Sequence, residues 1–218
     1  MNYKMNENNK VYITGKIDSE FTYDHTVRGE SFYKVFVSIN RFSGYVDRIP
    51  VLVSERLTNV KKNAIGSTVK ILGQYRSFSQ YDEKKDGLKM FLFVFAKDWE
   101  LLSPGVEIID NQEIFLDGYV CRPTAYRTTL SGRRVTDVFL AVNRFYKKSD
   151  YIPCICWERN AIFASGFEVG DHVQIKGRIQ SREYVKKLSS DTSEKRIAYE
   201  VSISELTYIG KRSDEVAN

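Results

Sequence analysis

The sequence predicts an all-β protein in which one barrel-forming unit is written twice. Three observations carry this. The stretch Ala141–Asn160, AVNRFYKKSDYIPCICWERN, has an echo at Ser38–Asn59, SINRFSGYVDRIPVLVSERLTN. Asn40, Arg41 and Phe42, Ile49 and Pro50, Glu55 and Arg56 recur at Asn143, Arg144 and Phe145, Ile152 and Pro153, Glu158 and Arg159, always 103 residues on. A fixed offset over many positions marks a repeated folded unit. The third observation is the pattern between these landmarks: short alternating runs rich in Val, Ile, Phe and Tyr, broken by glycines and charged clusters, which is strand periodicity.

Taken in order, residues 1–8 are polar and expected to be loose. Lys10–Ile17 is a short strand, with Gly15 marking a bend or bulge. Glu20–Glu30 reads as a hairpin loop holding Gly29. Ser31–Phe42 is a longer second strand and Arg48–Ser54 a third. Leu57–Ser67 is the only stretch of this unit able to hold a helix, and a short one. Thr68–Ser79 is a fourth strand containing Gly73, the charged run Asp82–Gly87 a solvated loop, and Lys89–Leu102 a fifth strand. Ser103-Pro104-Gly105 breaks the pattern and places the domain boundary, giving domains 1–104 and 105–218. The second unit repeats the order, with Gly118 for Gly15, Gly132 for Gly29, Phe139 for Phe36, Gly170 for Gly66 and Gly177 for Gly73. The last two pairs are 104 apart, so one residue is inserted in the helical connection. Its charged loop is Lys186–Arg196 and its closing strand Ile197–Ile209.

Five short strands with a helix between the third and fourth predict a five-stranded OB-fold barrel, here two in tandem. Immunoglobulin-like sandwiches would want about seven strands each and a Cys, Trp, Cys spacing that the sequence lacks.

Composition bounds the function. The 42% hydrophobic and 28% charged residues are those of a globular chain, and 218 residues suffice for two cores. The net charge of +5 is a mild excess that says little until its placement is known. No apolar stretch approaches the ~20 residues of a membrane span. MNYKMNENNK lacks the apolar core of a signal peptide, and 3 cysteines make no disulfide framework, so a reduced, cytoplasmic protein is expected. No phosphate loop, nucleophile elbow or zincin motif is present and acidic residues are scattered singly, so no enzyme is expected. Cys154-x-Cys156 lacks a second ligand pair at suitable spacing, and core cysteines are the better reading; no metal or cofactor is expected.

Period 2 divides the third strand into a core face, Ile152, Cys154 and Cys156 with Ile49, Val51 and Val53, and an outward face holding Tyr151, Pro153, Ile155 and Trp157. On the fourth strand Arg178, Gln180, Arg182 and Tyr184 share a face, as do Gln74, Arg76 and Phe78. Rings beside guanidinium groups suit single-stranded nucleic acid: bases stack on the rings while cations neutralise phosphate. The plainer readings are a subunit interface for the aromatics and a solvated face for the charges.

The second unit resembles the DNA-binding domain of bacterial single-stranded DNA-binding proteins. The matching residues are Asn111, Gly118, Gly132, Val138–Asn143 (VFLAVN), Gly170–Gly177 (GDHVQIKG) and Arg178–Tyr184 (RIQSREY). The first unit resembles the family more weakly, through Gly15, Phe36–Asn40 and Gly66–Gly73, and the whole is similar to clostridial-type members with two such domains. The resemblance implies base stacking on Tyr146, Tyr151, Trp157 and Tyr184, with Arg144, Lys147, Lys148, Arg178 and Arg182 beside them. The first three stacking positions fall on Ser43, Arg48 and Ser54 in the first unit and the fourth near Gln80 and Tyr81. Binding there is expected through Phe42, Arg48, Arg76, Phe78 and Tyr81, with Tyr45 nearby, or that unit serves assembly. The partner implied is single-stranded DNA, and a homodimer would present four OB-folds. The chain stops at KRSDEVAN without the family's acidic tip, so recruitment of replication proteins by that route is not expected. A primosomal accessory or RNA-binding OB protein is the alternative within binding, and an assembly protein with interface aromatics the alternative outside it.

Overall fold

In the computed structural model, which describes residues 8–82, 87–106, 111–187 and 193–211, each repeat closes into a small barrel. The first is built from β1 (Asn9–Ile17), β2 (Thr22–Val27), β3 (Glu30–Asn40), β4 (Val46–Ser54), β5 (Thr68–Asp82) and β6 (Gly87–Leu101). The second contains β7 (Gln112–Val120), β8 (Ala125–Thr128), β9 (Arg134–Asn143), β10 (Ser149–Trp157), α1 (Glu158–Ala164), β11 (Asp171–Lys187) and β12 (Ser193–Lys211). The ring β1–β3–β4–β6–β5 returns to β1, and β7–β9–β10–β12–β11 returns to β7. These are five-stranded OB barrels.

Closure depends on the first strand of each ring pairing on two sides. β1 runs along β5 and, at Lys16–Ile17, also meets β3. Gly15 and Gly118 sit at these crossings, where a Cβ would lie 2.5 Å from the Ser38 carbonyl oxygen and 2.7 Å from that of Ala141. No side chain fits, so glycine is required by close backbone approach.

Each barrel encloses the predicted core face. Ile49, Val51 and Val53 in β4, and Ile152, Cys154 and Cys156 in β10, are buried with Ile13, Ile71, Ile114 and Ile175. The opposite face is less uniform than alternation implies, since Leu52 and Ile155 are buried too.

Two expectations are corrected. Glu20–Glu30 is not a plain loop: β2 lies within it and pairs with β3, as β8 pairs with β9. His25 stacks on Phe32 and Tyr23 meets Tyr33 edge to face, so cross-strand ring pairs extend the hairpin through a polar sequence. Among the described residues, the helix forms only in the second unit. There Ala161 and Ala164 bury against the barrel. In the first, the side chains of Asn59 and Asn63 accept from the backbone amides of Lys61 and Ile65, local turns that compete with helix.

The expected loops over Asp82–Gly87 and Lys186–Arg196 lie partly outside the described residues, as do most of residues 1–8 and everything beyond Lys211. Among the described residues, no helix is long and apolar enough to cross a membrane.

The barrels join through the antiparallel pair β1–β7 into one continuous twelve-stranded sheet among the described residues. Val11 faces Ile114, its own counterpart in the repeat. A pseudo-two-fold axis therefore passes between them and relates the two units.

Candidate nucleic-acid interface

That axis swings the β5–β6 hairpin of the first unit against the β9–β10 turn of the second, and the β11–β12 hairpin against the β3–β4 turn. The contacts are reciprocal. In the second unit's turn Arg144 forks onto the buried Asp150, with Nε 2.6 Å from Oδ2 and Nη2 bonded to Oδ1. Arg144 Nη2 also donates to the Ser77 carbonyl at 2.9 Å, and the Ser77 amide donates to Asp150 Oδ1 at 2.7 Å. In the mirror contact Arg41 forks onto Asp47 at 2.6 and 2.5 Å, donates to the Ser181 carbonyl at 3.1 Å, and Asp47 accepts the Ser181 amide at 2.6 Å. Asp47 and Asp150 are 0% and 1% exposed. A carboxylate so buried persists only when fully paired, and each here is satisfied by its own arginine and the other unit's backbone.

Sequence reading missed these aspartates. Their signal was present: Arg41 and Asp47 recur as Arg144 and Asp150, and Ser77 as Ser181. What the sequence could not show is that the arginine of one unit, its own aspartate and the serine of the other unit meet. Arg144, expected beside the stacking rings to meet phosphate, is engaged in this clamp.

The clamp sets neighbours around the remaining expected residues. Tyr151, 47% exposed, follows Asp150 and donates its amide to Ser77 Oγ at 2.8 Å. It thus stands beside the strand that carries Arg76 and the exposed Phe78. Arg76 lies 3.7 Å from Asp150, and its Nη2 donates to Gln74 Oε1 at 2.5 Å. Burial, with Arg144 adding and Asp150 opposing, makes the Arg76 proton less tightly held than usual. In the mirror contact Arg48 occupies the place of Tyr151. It pairs with Asp18 at 2.6 Å, covers the Phe36 ring at 4.2 Å, and its amide is 3.4 Å from Ser181 Oγ. Arg178 is half-buried and its proton is likewise loosened, by burial and then by Arg41. Arg182, exposed, lies 5.9 Å from the Tyr184 ring centroid.

Other expected residues stand at the turn tips. Tyr146 is 94% exposed and, with Lys147, has positive φ (62° and 55°), held by the hydrogen bond from the Arg144 amide to the Lys148 carbonyl at 2.7 Å. Lys147 and Lys148 are exposed, and Phe42 on the matching turn is fully so. Tyr81, in the far half of β5, is exposed as well. Trp157 is at the opposite end of β10 from Tyr151, and the Arg133 guanidinium lies 4.4 Å from its ring centroid. Arg133 and Arg134 both approach Glu158, at 3.8 and 3.1 Å. These two arginines are further cations that sequence reading passed over, although they follow the landmark Gly132 directly.

The single-strand binding protein family model matches residues 111–209. Single-stranded DNA-binding protein B of Bacillus subtilis (strain 168) is 33% identical over 79 residues, covering 33% of this chain and 70% of that protein. The chain belongs to the single-strand binding protein family. Among solved structures, the wild-type single-stranded DNA binding protein from Thermus aquaticus superposes with a TM-score of 0.70 at 17% identity, over 96% of each chain. A deletion mutant of that protein matches at 0.66, also at 17% identity, over 95% of this chain and 98% of that one. At such identity the match speaks for the fold, and it spans both barrels of this family member. The family model begins where the second barrel begins.

Proposed function

We propose that this chain binds and protects single-stranded DNA in replication, recombination or repair, tolerating any sequence, and that it does so without a chemical step. The observation that carries the reading is the alignment of exposed rings with guanidinium groups along both reciprocal contacts, in a chain that belongs to this family. Tyr151 beside Arg76 and Phe78, and Arg182 beside Tyr184, combine a surface on which any base can stack with cations that meet phosphate. Stacking supplies affinity that tolerates sequence, and the cations supply affinity that depends on salt.

The residues assigned to stacking are Tyr146, Tyr151, Trp157 and Tyr184 in the second unit, and Phe42, Phe78 and Tyr81 in the first. Lys147, Lys148, Arg178, Arg182, Arg48 and Arg76 are assigned to phosphate. We take residues 1–104 and 105–218 as the two OB-fold units. Two chains pairing through their sheets would present four barrels in the cytoplasm, and light scattering at twice the chain mass tests that. The binding reading is tested by titrating single-stranded and duplex DNA of equal length across salt. Single strands should bind far more tightly, with log K falling linearly in log salt. Duplex binding of equal strength would overturn the reading.

A further inference from the structure

The reciprocal contacts do more than hold two barrels together, because they end on the residues assigned to binding. The structure assigns Ser77 and Ser181 as positioning residues, each seating the binding strand of the opposite unit, so that neither binding edge is complete within its own barrel. This rests on the proposed single-strand binding surface.

Ser77 uses every polar group it has on the second unit. Its amide donates to Asp150, its carbonyl accepts from Arg144, and its hydroxyl oxygen accepts the Tyr151 amide at 2.8 Å. Three consecutive features of the turn, Arg144, Asp150 and Tyr151, are thereby registered on one residue of β5. The backbone that directs the Tyr151 ring is set from the other barrel, and the same contact puts Arg76 and Phe78 on either side in sequence. Ser181 repeats the arrangement on Arg41, Asp47 and Arg48. A serine hydroxyl suits the task because one oxygen can donate and accept at once, as that of Ser181 does with Asp47 and the Arg48 amide. The two contacts differ in what they deliver. Ser77 seats a ring and Ser181 seats a cation, since position 48 is Arg where position 151 is Tyr.

Three full-length variants test this: Ser77→Ala, Tyr151→Ala and the double variant, with Trp157→Ala as a reference and Ser181→Ala as the mirror. Ser77→Ala keeps both backbone hydrogen bonds, so the fold is retained and thermal melting checks it. Ser77→Ala should weaken oligo-dT binding about three- to tenfold, the worth of one hydrogen bond. The double variant should bind no more weakly than Tyr151→Ala alone, whereas Ser77→Ala and Trp157→Ala should multiply. A serine that merely stabilised the fold would lower the melting temperature without this non-additivity. Ser181→Ala should instead be non-additive with Arg48→Ala. If Tyr151→Ala weakens binding but Ser77→Ala leaves it unchanged, or their effects multiply, the positioning role is overturned while the binding reading stands. If neither Tyr151→Ala nor Trp157→Ala weakens binding, the binding surface itself is misassigned and both proposals fall.

Discussion

At the scale of residues, chemistry separates into rings that can stack, cations that can move, and cations that cannot. Trp157 and Tyr184 belong to the first group. Alanine at either should cost about 1–3 kcal/mol of oligo-dT affinity with little change in melting temperature, read by fluorescence titration alongside a thermal melt. Lys147 and Lys148 stand exposed at a turn tip and belong to the second. Replacing either with Ala should flatten the slope of log K against log salt by about 0.7 for each phosphate no longer neutralised, equally for dT and dC oligomers. An unchanged slope would remove that lysine from the surface. The cysteines divide by burial. Burial pushes the Cys154 thiol well up and that of Cys156 up to about 12, while Cys121 is half-buried and raised less. Thiolate, the reactive form, is therefore scarce at both core positions near neutral pH. A disulfide reagent should titrate Cys121 alone in the native protein and all 3 cysteines after denaturation. Rapid native labelling of Cys154 or Cys156 would contradict the core packing.

At the scale of elements, the β9–β10 turn is held by its own ion pair and by a strand from the other barrel. Asp150 is buried and Arg144 half-buried, and removing the arginine leaves the carboxylate's charge unpaired where water is excluded. Asp150→Ala and Arg144→Ala should each destabilise by about 3–5 kcal/mol, with Arg41 and Asp47 behaving alike in the first unit. Urea unfolding measures this, and a change below about 1 kcal/mol, the range of an exposed pair, would mean that water reaches the site. Arg144 and Lys148 are only four residues apart in a basic turn, yet the first should answer in stability and the second in salt slope. The long first strands pose a different constraint. Gly118→Ala would drive a methyl group into the Ala141 carbonyl, so the barrel must shift or open there. Ala at the exposed hairpin glycines would strain only a turn.

At the scale of the molecule, what matters is that the repeat pairs with itself. The β1–β7 ladder puts Val11 opposite Ile114 and turns two barrels into one sheet with a pseudo-two-fold axis. Two equivalent clamps are the geometric consequence, and a strand of DNA crossing either would meet residues of both units. The units are equivalent in scaffold and unequal in chemistry, since Ser43, Arg48 and Ser54 stand where the second unit has Tyr146, Tyr151 and Trp157. Removing both Tyr151 and Trp157 from the full chain should therefore release oligo-dT at lower salt than removing both Phe42 and Phe78 does, because stacking survives added salt and charge contacts do not. Release of both double variants at the same salt concentration would mean that the rings of both units contribute alike.

The sequence by itself determined the repeat, the two barrels, the core face of β4 and β10, and the family. Each follows from information local in the chain: a constant offset, a period of two, glycines where backbones cross. Polar residues concealed β2, because its strand pairing rests on cross-strand ring contacts rather than on an apolar stripe, and paired Asn turns replaced the expected first helix. Only the tertiary structure decided what Arg144 is for. A guanidinium in a basic turn reads alike whether it faces phosphate or a buried carboxylate, and the difference lies in Ser77, which is 67 residues away in the chain and one hydrogen bond away in space. Period and spacing describe one unit at a time. The clamp belongs to the pair, and it exists because an antiparallel β1–β7 ladder brings each hairpin onto the other barrel's turn.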